Sequence, residues 1–210
     1  MTVDTDVVII GAGPAGLTAA RKLSELDIQY TLISREDKPG AYKACGGYVP
    51  TRALKEFRLT QIRDTHDVKS IRMKFPGIDM KRVDFDQPVG VNVHRANLGA
   101  ALLNLIDRST GEIWLETECG LITSRNDKCE VRYTKENETG SITSYFIIDA
   151  SGANPVSLRF TPVRNRPMNS QIGYGVQYQV KTKKALEIVN DFYYGKPMKS
   201  VYSVVLHNIE

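Results

Sequence analysis

The sequence has few cysteines and no pattern among them. Cys45, Cys119 and Cys129 are scattered over 210 residues. There is no C-x-x-C pair and no metal-ligand spacing. That excludes a disulfide framework and a structural zinc site, and it fits a reducing, intracellular setting. No run of about 18 apolar residues occurs, so no ordinary membrane-spanning helix is present. A dense basic run is also missing. The net charge of +4 permits an anionic ligand or a membrane surface but gives no argument for nucleic acid. The start, MTVDTDVVIIGAG, lacks a basic stretch and carries Asp4 and Asp6, so it does not read as a secretion signal. The sequon Asn137-Glu138-Thr139 then has no meaning. There are no internal repeats, low-complexity tracts or linkers. The remainder is 41% apolar and 25% charged, an ordinary globular composition with enough length for a sizeable core.

The most informative stretch is DVVIIGAGPAGLTAARKL. Val7 to Ile10 is a short, continuous, β-branched run, which is how a strand buried on both faces of a parallel sheet reads. The turn G-A-G-P-A-G, Gly11 to Gly16, follows directly. Leu17, Ala20, Leu23 and Leu26 then keep helical spacing. Strand, glycine turn and helix together predict a dinucleotide-binding unit. Gly11 makes the tight turn. Gly13 lets a pyrophosphate approach the backbone, and Gly16 lets helix and strand pack closely. The helix N-terminus supplies free N–H groups and a favourable dipole. Pro14 and Ala15 open the helix, and Pro14 gives up an N–H that has no helical partner there. The alternative is a tight strand-to-helix turn with no ligand.

A second strand is expected over Ile28 to Ile33, ending on an acid that holds the ribose hydroxyls about 20 residues after the glycines. The expected position falls on Ser34, followed by Arg35, and the carboxylate Glu36 comes two residues after Ser34. Ser34 binds a ribose more weakly than a carboxylate does. Glu36 either replaces it through a shifted loop or is solvated; the sequence leaves both open.

Four segments occur in an order and spacing that resemble the geranylgeranyl reductase family of flavoproteins, within the para-hydroxybenzoate hydroxylase-like group. They are GAGPAGLTAA, REDKPGAYKACGG, VHRANLGAALL and FIIDASGANPVSLR. The resemblance covers nearly the whole chain, and P-G-x-x-x-x-C-G-G is its most specific part. It implies FAD as cofactor, with NAD(P)H or another electron donor. It also implies that the Cys45-Gly46-Gly47 loop runs along the flavin, with Cys45 near the ring and no further catalytic residue assigned. Packing alone is the other reading of Cys45. Arg95 is implied to reach the FAD phosphates, against a solvated arginine at a helix start, and His94 beside it reads as packing. The backbone near Cys119 is implied to contact the adenine. Phe146 to Ile148 reads as a buried strand ending at Asp149-Ala150-Ser151-Gly152, and the resemblance implies that it closes over the nucleotide, with Asp149 and Gly152 at the cofactor. No metal is implied.

Around these segments, Gly90 to Val93 reads as a strand leading into a helix with the apolar stripe Leu98, Ala101, Leu102, Leu105 and Ile106. GEIWLETECGLITS and KCEVRYT read as strands joined by the turn Arg125 to Lys128. Val68 to Phe75 reads as an edge or half-exposed strand, with Ile71, Met73 and Phe75 inward and Lys69, Arg72 and Lys74 outward. Ile172 to Val180, DFYYGK and VYSVVLH read as strands of a second domain.

The fold expected is α/β: a Rossmann-like FAD-binding domain of the glutathione-reductase type over residues 1–160, followed by the start of a mixed-sheet substrate domain over 161–210. The late Gly-Asp motif of the family is not found, so the flavin domain is expected to lack its closing segment. Either the chain is the N-terminal portion of a longer protein or it is a shortened paralogue. The family's aromatic-proline signature is also missing; Tyr202 to His207 stands in its place.

The resemblance implies an FAD-dependent oxidoreductase that reduces carbon–carbon double bonds of a polyprenyl lipid or prenyl diphosphate. On that reading the protein is cytoplasmic, with a peripheral membrane contact and an oligomeric or completing chain as further options. The alternatives are a flavin-dependent aromatic monooxygenase or halogenase, and a non-catalytic nucleotide-binding module. The 210 residues alone are expected to be inactive.

Overall fold

The computed structural model describes residues 4–160, 175–178, 189–193 and 202–205. In chain order the elements are β1 (Thr5–Ile10), α1 (Pro14–Glu25), β2 (Tyr30–Ile33), β3 (Tyr48–Pro50), α2 (Thr51–Glu56), β4 (Thr65–Val68), β5 (Ser70–Lys74), β6 (Lys81–Asp84), β7 (Gly90–Val93), α3 (Arg95–Asn104), β8 (Gly111–Trp114), β9 (Thr117–Arg125), β10 (Lys128–Lys135) and β11 (Glu138–Asp149). A 3-10 turn (Ser157–Arg159), β12 (Asn190–Tyr193) and β13 (Tyr202–Val205) complete them. No helix among the described residues is long and apolar enough to cross a membrane.

The chain divides into two compact units, Met1–Tyr42 with Gly99–Met168 and Lys43–Leu98 with Asn169–Glu210. A cut at residue 160 places residues 43–98 with the nucleotide domain; the structure groups them with the second unit. The reason is a long-range ladder, because β5 pairs in parallel with β12 from Ile71↔Asn190 to Lys74↔Tyr193.

In the first unit the strand order is β8-β2-β1-β11-β10-β9. Strands β8, β2, β1 and the second half of β11 run parallel, while β9, β10 and the first half of β11 form an antiparallel meander. The apolar run of β1 is buried on both faces as its sequence predicts: Val8 and Ile9 are fully inaccessible. Each such side chain contributes on the order of 1.5–3 kcal/mol of burial free energy. One face of β1 packs with Ile33, Ile122, Val131 and Ile142, beside the edge-to-face pair Trp114–Tyr133. Helix α1 packs on β1 and β2 through Leu17 and Ala20. It ends at Glu25, one residue before Leu26, which is exposed; Asp27 takes a left-handed conformation there. Of the stripe expected on α3, Leu98 and Leu102 are buried and Ala101 half-buried, while half-buried Leu105 and buried Ile106 lie just past the helix end at Asn104.

Phe146 departs from its expected place. It lies in β11 opposite Val7, yet it is 69% exposed. Helix α1 covers β1 and β2, and no described element of this unit covers that face of β11.

In the second unit, one sheet runs β13-β12-β5-β6 and another β3-β7-β4. The stretch expected as one strand, Val68 to Phe75, is split at Lys69 into β4 and β5. β5 is interior rather than an edge, and Arg72, expected to face solvent, makes a two-pronged ion pair with buried Asp191 at 2.6 Å for each contact. The expected strands at DFYYGK and VYSVVLH correspond to β12 and β13. The strand expected over Ile172 to Val180 lies outside the described residues except 175–178, which carry no strand.

Candidate functional site

In the first unit the carboxyl ends of three parallel strands meet. Ile10 stands opposite Ile33 on one side and Asp149 on the other. The residues that follow these ends are Gly11, Ser34 and Ala150. Crevices outside the carboxyl ends of parallel strands are where such sheets bind ligands.

The glycine turn is built as its spacing predicts. Gly11 has φ +105°, and a Cβ there would stand 2.6 Å from the Ala150 carbonyl oxygen. Its N–H donates to the Ile33 carbonyl at 2.8 Å. A Cβ on Gly16 would meet the Gly11 carbonyl oxygen at 1.9 Å, so helix and turn touch backbone to backbone. Gly13 differs from both: nothing lies within 4 Å of the place a Cβ would take. A side chain at Gly13 would therefore meet no described part of the protein. Gly13 is also the N-cap of α1 and supplies no side-chain cap. Pro14 has no N–H, and the N–H groups of exposed Ala15 and buried Gly16 in the first turn have no side-chain capping acceptor.

At the end of β2, Ser34 is 5% exposed. Its hydroxyl accepts the Glu36 N–H at 3.3 Å, and its backbone bonds Trp114 and Thr117. Ser34 thus serves to turn the chain, Arg35 is exposed, and Glu36 is half-buried at the end of that turn. Cys119 on β9 belongs to the hydrophobic core. Burial pushes its thiol up to about 11, with the charges of Asp149 and Glu118 adding to the effect. Asp149 and Gly152 bracket the segment after β11.

The remaining sequence candidates fall in the second unit. Gly47 has φ +73°, and a Cβ on it would stand 2.3 Å from the Val93 carbonyl oxygen; the glycine is required by its packing on β7. Its N–H donates to the Cys45 sulfur at 3.4 Å, and the Cys45 N–H donates to Gln177 at 3.3 Å. Cys45 is half-buried and Gly46 exposed. Arg95 opens α3, and its Nε is buried with no hydrogen-bond partner among the described residues. A buried guanidinium donor with no acceptor fits a ligand anion. His94 is exposed, and its carbonyl accepts the N–H groups of Asn97 and Leu98. Among the described residues no three His, Cys, Asp or Glu side chains converge as metal ligands. The sequence reading did not single out Ser151 and Ser157, whose only signal is their spacing of two and eight residues after Asp149.

The family model described as pyridine nucleotide-disulphide oxidoreductase matches residues 5–192. Protein CbrA of Escherichia coli O157:H7 is 29% identical over 166 residues, which are 74% of this chain and 45% of that protein. This chain therefore spans less than half the length of that curated relative. A geranylgeranyl bacteriochlorophyll reductase-like protein from Thermoplasma acidophilum has the same fold, with a TM-score of 0.74 at 21% identity over 91% of this chain and 50% of that one. The flavin-dependent monooxygenase PieE, solved with FAD and substrate, matches with a TM-score of 0.60 at 20% identity, over 75% of this chain and 32% of its own.

Proposed function

The chain belongs to the pyridine nucleotide-disulphide oxidoreductase family, and from that premise we propose that it binds FAD as part of an oxidoreductase reducing carbon–carbon double bonds of a polyprenyl lipid. The observation that carries the nucleotide half of this reading is Gly13. It is the one glycine of the turn whose missing side chain leaves open space, at the carboxyl ends of parallel strands and against an uncapped helix N-terminus.

The residues present fit the cofactor. The first turn of α1 donates to the pyrophosphate, and the helix dipole favours its charge. Glu36, set by the Ser34 hydroxyl, takes the ribose hydroxyls. Arg95 is assigned to the FAD phosphates by the sequence resemblance, and its buried Nε, without a partner among the described residues, suits an anionic acceptor. FAD, when bound, supplies the hydride chemistry. Cys45 is the side chain assigned to the flavin by the sequence resemblance, and its half-buried sulfur already accepts the Gly47 N–H, which fixes its direction.

The reductase reading is supported by the fold likeness to the geranylgeranyl bacteriochlorophyll reductase-like protein, which extends over 91% of the chain. The second reading, an aromatic monooxygenase, is supported by the likeness to PieE over a smaller share. Titration of the purified protein with ADP and with FAD tests the cofactor. Incubating the FAD-loaded protein with reductant and either a geranylgeranyl lipid or a phenolic substrate plus oxygen separates the two. Saturated lipid without oxygen uptake supports the reductase; oxygen-dependent hydroxylation supports the other; failure to bind ADP or FAD overturns both.

A further inference from the structure

The end of β11 carries a carboxylate whose acceptors are already used. Asp149 Oδ1 accepts the Ser151 N–H at 3.0 Å and the Ser151 hydroxyl at 2.5 Å. Its Oδ2 accepts the Ser157 N–H at 2.7 Å. The Ser151 hydroxyl oxygen in turn accepts the Val156 N–H at 3.0 Å. One side chain therefore ties both ends of the segment from Ala150 to Ser157 into a closed loop. Burial alone pushes the Asp149 carboxyl up, but the bonds from Ser151 and Ser157 outweigh this and hold it below the usual carboxylate range.

That loop is the wall on which the glycine turn rests. The Ala150 N–H donates to the Ile10 carbonyl at 2.8 Å. The Ala150 carbonyl oxygen fills the space a Cβ on Gly11 would need, and the Ala150 Cβ stands 3.4 Å from the place of a Cβ on Gly16. If Ala150 moves, the turn from Gly11 to Gly16 loses its backing, and with it the direction of the N–H groups at the start of α1.

We propose that Asp149 is a positioning residue for the phosphate cradle: it holds the Ala150–Ser157 loop through Ser151 and Ser157 and does not itself bind the cofactor. This rests on the nucleotide-binding reading above. It also replaces the ligand role that the sequence resemblance gives to Asp149. A group that touched ribose or phosphate would need a free acceptor for a hydroxyl, or would repel the phosphate charge; Asp149 instead spends both oxygens on the chain's own donors.

The test uses the 210-residue protein and ADP, with the dissociation constant read by calorimetry and the ligand-free unfolding midpoint read by circular dichroism. Asp149→Asn keeps the shape but presents an amide N–H₂ to donors that need an acceptor. The expected result is ADP affinity lowered at least about tenfold, a difference of about 1.4 kcal/mol, with the ligand-free spectrum unchanged. Asp149→Glu restores part of the affinity, and Ser151→Ala gives an intermediate loss. Wild-type ADP affinity in Asp149→Asn, whatever happens to its midpoint, overturns the proposal and leaves Asp149 as a cap for the 3-10 turn. If Asp149→Asn does not fold, Ser151→Ala decides in the same way, because it removes only the hydroxyl. Absence of ADP binding by the unaltered protein overturns the nucleotide reading itself, and that outcome is distinct from the others.

Discussion

Asn92 on β7 and Asn190 on β12 exchange side-chain hydrogen bonds with each other while both are fully buried. The Asn92 amide donates to the Asn190 oxygen at 2.7 Å, and the Asn190 amide donates back at 3.2 Å. The two residues are 98 positions apart in sequence, and they join the two sheets of the second unit. A buried amide is tolerated only when its groups are satisfied, and each of these side chains depends on the other.

Replacing one partner therefore costs more than replacing both. Asn92→Leu strands the Asn190 amide in the core, and such a group costs roughly 1–3 kcal/mol. The double variant Asn92→Leu/Asn190→Leu is expected to regain part of that loss. Urea unfolding of Asn92→Leu, Asn190→Leu and the double variant checks this. Equal, additive losses would mean that the pair is not coupled.

Gly13 and Gly16 of the turn should behave differently from one another. Gly13→Val places its side chain in open space on the protein side, so the unfolding midpoint stays close to that of the unaltered protein while ADP affinity falls at least about tenfold as the pyrophosphate approach is blocked. Gly16→Ala drives a methyl group into the Gly11 carbonyl, so the fold itself is lost or destabilised by roughly 3 kcal/mol or more, as overpacking at a backbone contact requires. Measuring midpoint and ADP affinity for both separates the roles. A Gly13→Val protein with full ADP affinity would remove the site assignment.

These contrasts mark what was legible in the sequence. β1, the glycine turn and α1 follow one another within about twenty residues, and local spacing specifies them. The interior position of β5 was not legible. Its partner β12 supplies Asp191 from 119 residues away, and an alternating pattern reads Arg72 as solvated because it cannot see that carboxylate. Phe146 misled for the opposite reason. An apolar run predicts a strand correctly, but whether the strand is covered depends on elements elsewhere. The turn after β2 was not legible either: the Ser34 hydroxyl accepts the Glu36 N–H at 3.3 Å, a local bond that no motif encodes.

Cys119 gives a pH dependence with a definite sign. Its folded thiol is raised from the ordinary value of 9.0 to about 11 by burial first and by Asp149 and Glu118 second. The neutral form is the one the fold favours. Its contribution is therefore complete below about pH 9 and is lost as pH rises toward about 11, where unfolding is drawn on by ionisation of the exposed thiol. Urea midpoints of the unaltered protein should fall more between about pH 8 and about pH 10 than those of Cys119→Ala, since only the former carries this titration. Identical pH slopes would show that the thiol is not held neutral. Iodoacetamide near neutral pH is expected to label the half-buried Cys45 and Cys129 before the buried Cys119.

The last expectation concerns the uncovered half of β11. Its first half pairs with β10 up to Ser144, and from Ser144 onward it pairs with β1. Along Tyr145 to Asp149 the side away from β1 carries no strand among the described residues. Tyr145 is 45% and Phe146 69% exposed there; the Phe146 carbonyl accepts the Ser144 hydroxyl at 2.9 Å rather than a neighbouring strand, so a strand edge and a large apolar ring occur on the same few residues. Such an edge templates association with another chain. The 210-residue protein is accordingly expected to self-associate as its concentration rises through the micromolar range. Phe146→Lys should weaken this at least about tenfold, because it removes an aromatic worth roughly 1.5–3 kcal/mol of burial and places a charge on the edge. Phe146 is level with Val7, three residues before the Ile10 end of β1 where the glycine turn begins, so ADP affinity is expected to stay unchanged in this variant. Sedimentation velocity over a concentration series, run beside an ADP titration, reads both quantities. A protein that is monomeric throughout, or a Phe146→Lys variant that associates as before, would show that this edge is not what the chain uses to meet another.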